Sequence, residues 1–166
     1  MGSEASKKIH TRTDPDGCIY NGEVDTDELP NGNGWLMCPN GVEYNGEWKS
    51  GKFHGTGRYY WDRGQYDGGF RDGKQHGDGF LFFHKEEERC YYQAQFVDGL
   101  RNGAGKETCV SNENYSGDAD HRKAHETRVG KKYFFFNGFY KDGKYEGQST
   151  LRYAGGRKVK GMFKDN

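Results

Sequence analysis

The stretch Tyr44–Gly57, YNGEWKSGKFHGTG, decides the fold. Tyr44, Gly46 and Trp48 alternate, which is the period of one strand face. Ser50-Gly51-Lys52 has turn chemistry, with Gly51 free to take a positive φ. Gly55 and Gly57 begin a second alternating run that continues through Tyr59 and Trp61. The stretch reads as one β-hairpin of two short strands.

The pattern recurs outward in both directions. Near copies begin at Tyr20, Tyr44, Tyr66, Tyr92, Tyr115, Phe136 and, cut short, Val159. Successive starts are 24, 22, 26, 23, 21 and 23 residues apart. A fixed period in this range is the signature of a repeat array. The expected fold is all-β: an elongated single twisted antiparallel sheet of successive hairpins over residues 11–166, preceded by a flexible tail at 1–10.

Tyr44-Gly46-Trp48-Gly51-His54-Gly55-Gly57 fits every position of YxGxWxxGxxHGxG, and the stretch from Tyr66 through Gly68, Phe70, Gly73, His76, Gly77 and Gly79 fits with Phe for Trp. In these residues the chain resembles the MORN-repeat family. The Tyr20 copy carries one inserted residue, the Tyr92 copy has Ala94 for the first glycine, and the Tyr115 copy has Glu126 and Arg128 where two glycines are expected. The resemblance covers roughly residues 18 to 166. It implies a solenoid sheet with a groove, a non-catalytic scaffold and roles near membranes and the cytoskeleton. Some relatives carry a lipid kinase or lysine methyltransferase domain after the repeats; neither signature is present in this sequence, and the alternative reading is the accessory repeat region of a longer enzyme.

Only 31% of the 166 residues are hydrophobic, and mean hydropathy is −1.18, values that by themselves lean toward disorder. The periodicity overrides them, because burial in an array is local, repeat against repeat. Lys plus Arg and Asp plus Glu are both 25, which argues against a nucleic-acid footprint. No apolar run approaches the length of a membrane span, and no secretory segment is seen, so a cytoplasmic chain is expected; a peripheral place at a membrane or a cytoskeletal structure is what the resemblance implies.

Met1-Gly2-Ser3-Glu4-Ala5-Ser6 matches the N-myristoylation pattern, with Lys7 and Lys8 behind it. An acyl chain on Gly2 with a basic pair beside it is a two-part membrane signal; the alternative is a cloning remnant or solvated tail. Arg122, Lys123, Arg128, Lys131 and Lys132 form a second basic group in the irregular Tyr115 repeat. That group reads either as a solvated, distorted hairpin or as a patch for phosphoinositides or an acidic partner. The insertion His84–Arg89 reads as an exposed charged loop.

His54, His76 and His125 share one repeat position. Successive copies are therefore about 9–10 Å apart, too far for shared zinc ligation. They read as structural, and no metal or cofactor is expected. Cys18 and Cys90 each lie two residues before a lead Tyr, while Cys38 and Cys109 follow it at equivalent offsets. A register with Trp48 opposite Gly55 sets Cys18 opposite Cys38 and Cys90 opposite Cys109. In a reducing cytosol both pairs are expected as thiols.

By strand parity Tyr20, Tyr44, Trp48, Tyr66, Phe70, Tyr92 and Phe96 share one face. They read either as packing between repeats or as a docking surface for an amphipathic helix of a protein partner, cytoskeletal or motor-associated. The open sheet edges leave a homodimer open as well. No nucleophile has a recognisable base partner, so no catalytic residues are assigned.

Overall fold

The computed structural model describes residues 8–85, 88–111, 133–153 and 156–164. Among them there is no helix. Twelve strands run in sequence order through one antiparallel sheet. They are β1 (Lys8–Thr13), β2 (Ile19–Val24), β3 (Pro30–Met37), β4 (Glu43–Lys49), β5 (Lys52–Trp61) and β6 (Gly64–Arg71). Then follow β7 (Lys74–Lys85), β8 (Glu88–Val97), β9 (Leu100–Ser111), β10 (Tyr133–Lys141), β11 (Lys144–Tyr153) and β12 (Lys158–Phe163). The chain divides into two compact units, residues 1–79 with 96–100 and residues 80–95 with 101–166.

The β4–β5 hairpin shows how sequence becomes structure. Ser50 (φ 46°) and Gly51 (φ 77°) are both left-handed, the combination that closes a two-residue hairpin with the twist of the strands. Asp72-Gly73, Asp98-Gly99 and Asp142-Gly143 repeat it. Tyr44 faces Tyr59 and Gly46 faces Gly57. Between Gly46 and Glu47 the register then shifts, leaving Gly55 and Thr56 as a bulge, so Trp48 faces Phe53 and not Gly55 as the reading assumed. The Glu47 carboxylate accepts from the Thr56 N–H at 2.8 Å and holds the bulge shut. Gly55 (φ 55°) has no room for a side chain against that carboxylate.

Glycines opposite one another make space for rings. A Cβ on Gly57 or Gly79 would collide with the ring of Tyr44 or Tyr66, respectively. Each ring lies flat on bare backbone, and the Tyr44 hydroxyl donates to the Glu47 carbonyl at 2.8 Å. This is the close approach that mid-strand glycine permits.

Two boundaries differ from the sequence reading. β1 starts at Lys8, so the array begins before residue 11. Of the insertion expected as a loop, His84 and Lys85 extend β7 and Glu88 and Arg89 begin β8, while 86–87 lie outside the described residues. β10 pairs directly with β9, Phe136 facing Glu107. The Tyr115 repeat expected between them falls on 112–132, which lies outside the described residues.

Candidate interaction surfaces

The seven rings assigned to a partner groove are core. Tyr20, Tyr44, Trp48, Tyr66, Phe70, Tyr92 and Phe96 are all at most 7% exposed. In the N-terminal unit six of them form an unbroken edge-to-face chain, Tyr20–Trp48–Tyr44–Phe70–Tyr66–Phe96, with centroids 5.1–5.2 Å apart. Each lead ring is closed over by the aromatic residue four positions after the next lead Tyr. The docking assignment is therefore corrected: the rings pack on one another, the arrangement their quadrupoles favour.

Repeat-to-repeat coupling continues at the hairpin tips. Gly51, Gly73, Gly99 and Gly143 donate their N–H groups to the carbonyls of Pro30, Phe53, Gln75 and Arg101 at 2.8–2.9 Å. The His position adds a second link. Asn31 accepts from the Ser50 N–H, His54 from the Asp72 N–H at 3.5 Å, and Asn102 donates to Asp142. His76 Nδ1 lies 3.7 Å from the Asp98 carboxylate, which also accepts from Arg71 at 3.0 Å. That guanidinium holds Asp98 below the ordinary carboxylate range. His54 thus joins neighbouring tips and His76 lies beside the next one; His125 lies outside the described residues.

Of the membrane-directed residues, Lys8 alone is described. Its Nζ meets the Glu28 carboxylate at 3.1 Å, with both side chains 60% exposed. Gly2, Lys7, Arg122, Lys123, Arg128, Lys131 and Lys132 lie outside the described residues.

Two depressions mark the N-terminal unit. On the ring face, Tyr20, Leu36, Trp48 and Phe53 floor a hollow of about 380 Å³ with Arg12 and Lys52 at its rim. On the opposite face, Trp35, Met37, Asn45, Arg58, Tyr60 and Asp67 bound a shallow depression of about 560 Å³. Here large apolar side chains are open to solvent: Trp35 is 38% exposed, Met37 47% and Ile19 38%. Ile19 pairs with Met37, and Trp35 with Asn21, so the three lie together across β2 and β3. The sequence reading missed them. Their signal is parity, since Trp35 stands between Gly34 and Leu36 and so faces away from Tyr20.

The C-terminal unit buries a charge. Glu107 is 4% exposed and stands where the β4–β5 hairpin has Tyr59. Its Oε2 accepts from the Tyr145 hydroxyl at 2.8 Å and the Tyr140 hydroxyl at 3.2 Å, with Arg101 at 3.4 Å. Arg101 occupies the Phe53 position, its guanidinium 4.5 Å from the Tyr92 ring centre and 4.7 Å from that of Tyr140. An aromatic pair at 5.9 Å in one repeat is thus an ion pair in another. Burial first, and then the Glu107 charge, push the Tyr92, Tyr140 and Tyr145 hydroxyls well above the ordinary phenol range.

The cysteines lie in the register expected, but as disulfides. Cys18 is bonded to Cys38 with Cα atoms 4.0 Å apart, and Cys90 to Cys109 at 4.1 Å. The expectation of thiols is corrected: directly opposed cysteines are already within bonding distance, so oxidation needs no backbone movement.

The MORN repeat family profile matches four segments, residues 29–43, 44–65, 66–84 and 92–113. The chain carries four MORN repeats. No curated protein matches it over its sequence. MORN repeats are a non-enzymatic module associated with protein interaction or membranes, and the ladder of rings, glycines and D-G turns is the physical content of the match. The matched segments include both glycine-paired hairpins, Tyr44–Gly57 and Tyr66–Gly79. They end before β10, whose Phe136-Gly138-Tyr140 repeats the same face.

Proposed function

We propose that this MORN protein is a non-catalytic scaffold that holds a protein partner on the sheet face opposite its packed rings. The observation that carries this reading is the cluster of exposed Ile19, Trp35 and Met37 beside an open depression. The seven rings are buried on one another, whereas a tryptophan and a methionine left open on a short stretch of sheet mark a contact surface. Glu43 and the Asp67–Arg58 pair border the depression. A complementary segment presents apolar side chains to Trp35 and Met37 and a basic group to Glu43. The family association is the support for a membrane-proximal or cytoskeletal setting.

The test replaces Trp35 and Met37 by Ser, away from the core, and compares partners captured by photo-crosslinking with those of the parent chain. Loss of a discrete crosslinked protein at unchanged thermal stability supports the reading. An unchanged crosslinking pattern overturns it. Co-sedimentation with anionic vesicles, retained in the double variant, would instead make membrane binding the working activity.

A further inference from the structure

The two disulfides occupy equivalent repeat positions, yet their surroundings differ. Glu88 lies two residues before Cys90 on β8, so both side chains leave the same face of the sheet. A Glu88 carboxylate oxygen, Cys90 Sγ and Cys109 Sγ all lie within 4.8 Å of one another. From the other side, buried Glu107 places Oε1 3.5 Å from Cys109 Sγ. A disulfide sulfur has no proton to donate, so this approach becomes a hydrogen bond only when Cys109 is a thiol. At the matching positions beside Cys18–Cys38 stand Asp16, in the β1–β2 turn, and Leu36.

We infer that Cys90 and Cys109, once reduced, form with Glu88 a site for a thiolate-binding divalent cation of the zinc class, with Glu107 beside Cys109. Two sulfurs and one carboxylate oxygen from adjacent strands are ligand types that zinc takes and supply three positions of a tetrahedral site, with the fourth left to water. The sulfurs are buried, Cys90 at 0% and Cys109 at 5%, against Tyr92, Leu81 and Phe83, which limits competing water. Glu88 is exposed and provides the way in. Arg101, on the far oxygen of Glu107, offsets part of the negative charge.

Reduction proceeds with a dithiol. Its two S–H bonds and the protein S–S bond become two protein S–H bonds and one disulfide in the oxidised reagent, a transfer of two electrons and two protons. The cation then displaces both thiol protons into solvent as the two S–metal bonds form. The site exists in the reduced chain and is abolished by oxidation, which couples metal occupancy to redox state.

The experiment uses the chain carrying Cys18→Ser and Cys38→Ser, reduced with a dithiol, desalted without oxygen and titrated with Co²⁺. One equivalent is expected to bind with thiolate-to-cobalt charge-transfer absorption, and Zn²⁺ is expected to bleach it. Adding Cys90→Ser/Cys109→Ser is expected to remove the band. Glu88→Gln, an exposed change that leaves the sheet intact, is expected to weaken binding about a hundredfold. No band above the Cys90→Ser/Cys109→Ser background overturns the inference. So does equal affinity in Glu88→Gln, or a loss of sheet on reduction that cobalt does not restore by circular dichroism.

Discussion

Replacing Gly57 by alanine puts a methyl group where the Tyr44 ring lies. The nearest atoms to that Cβ are the hydroxyl, Cε2 and Cζ of Tyr44, all well inside van der Waals contact. The ring cannot simply slide. It stacks on Phe53 at 3.9 Å, meets Trp48 and Phe70 edge-on at 5.2 Å, and donates to the Glu47 carbonyl at 2.8 Å. Overpacking a filled site costs about 1–3 kcal/mol. Disturbing two edge-to-face pairs adds about 0.5–1.5 kcal/mol each, and the hydrogen bond about 1 kcal/mol. Because the ring shifts without leaving, only part of each is lost, and the expected destabilisation is about 3–4 kcal/mol. The control is Gly161→Ala, where nothing lies within 4 Å and φ is not left-handed. That change is expected to stay within about 0.5 kcal/mol. Urea unfolding followed by tryptophan fluorescence reads both, since Trp48 borders the displaced ring. Near-ultraviolet circular dichroism reads the ring itself. A Gly57→Ala protein within about 0.5 kcal/mol of Gly161→Ala would refute the account of glycine as space for the ring.

Alkali provides a second test. Burial raises the Tyr20 hydroxyl to about 12 and those of Tyr44, Tyr66, Tyr92, Tyr140 and Tyr145 further. The folded state therefore holds these protons more tightly than the unfolded chain. Their contribution is complete below the ordinary phenol value of about 10 and is lost as pH climbs beyond it. Phenolate absorbance of these rings is expected to appear together with loss of the sheet, and ionisation in a folded sheet would contradict their burial. Asp98 runs the other way: Arg71 lowers its pKa, so its contribution is present above the unfolded carboxylate value and disappears as pH falls through the folded one. Arg71→Ala is expected to raise the Asp98 pKa in an NMR titration. For the buried pair, Glu107→Leu leaves Arg101 uncompensated and is expected to cost about 3 kcal/mol. Arg101→Phe/Glu107→Leu, which copies apolar partners used in neighbouring repeats, is expected to recover most of it in a double-mutant cycle by urea unfolding.

Much of this molecule was legible from residue types alone. The alternation of Tyr44, Gly46 and Trp48, the S-G and D-G turns and the offsets of the cysteines are local or periodic signals. Hairpins read them locally, because turn dihedrals and side-chain parity depend on adjacent residues. The bulge at Gly55-Thr56 escaped that reading because it depends on a carboxylate, Glu47, reaching across to the other strand. Its effect stops short of the cysteines, which is why their register survived a wrong premise at Trp48. The direct pairing of β9 with β10 was not legible from spacing either. Periodicity counts residues, whereas β9 and β10 pair by hydrogen bonds whatever length of chain connects them.

The candidate surface was the least legible part. Parity places Tyr44 and Trp35 on opposite faces, but it does not say which face is covered. That depends on Phe70 arriving over Tyr44 from the next repeat, and Trp48 over Tyr20. Arg101 and Glu107 are likewise unremarkable as single residues and become a buried network only when Tyr140 and Tyr145 close on them. The sequence by itself determined the hairpin repeat, its turns and the pairing of cysteines, since these follow from spacing along the chain. Only the tertiary structure decided which aromatics are core, which face is open and where a charge is buried. Exposure is a property of what packs on a residue, and here the packing comes from a different repeat.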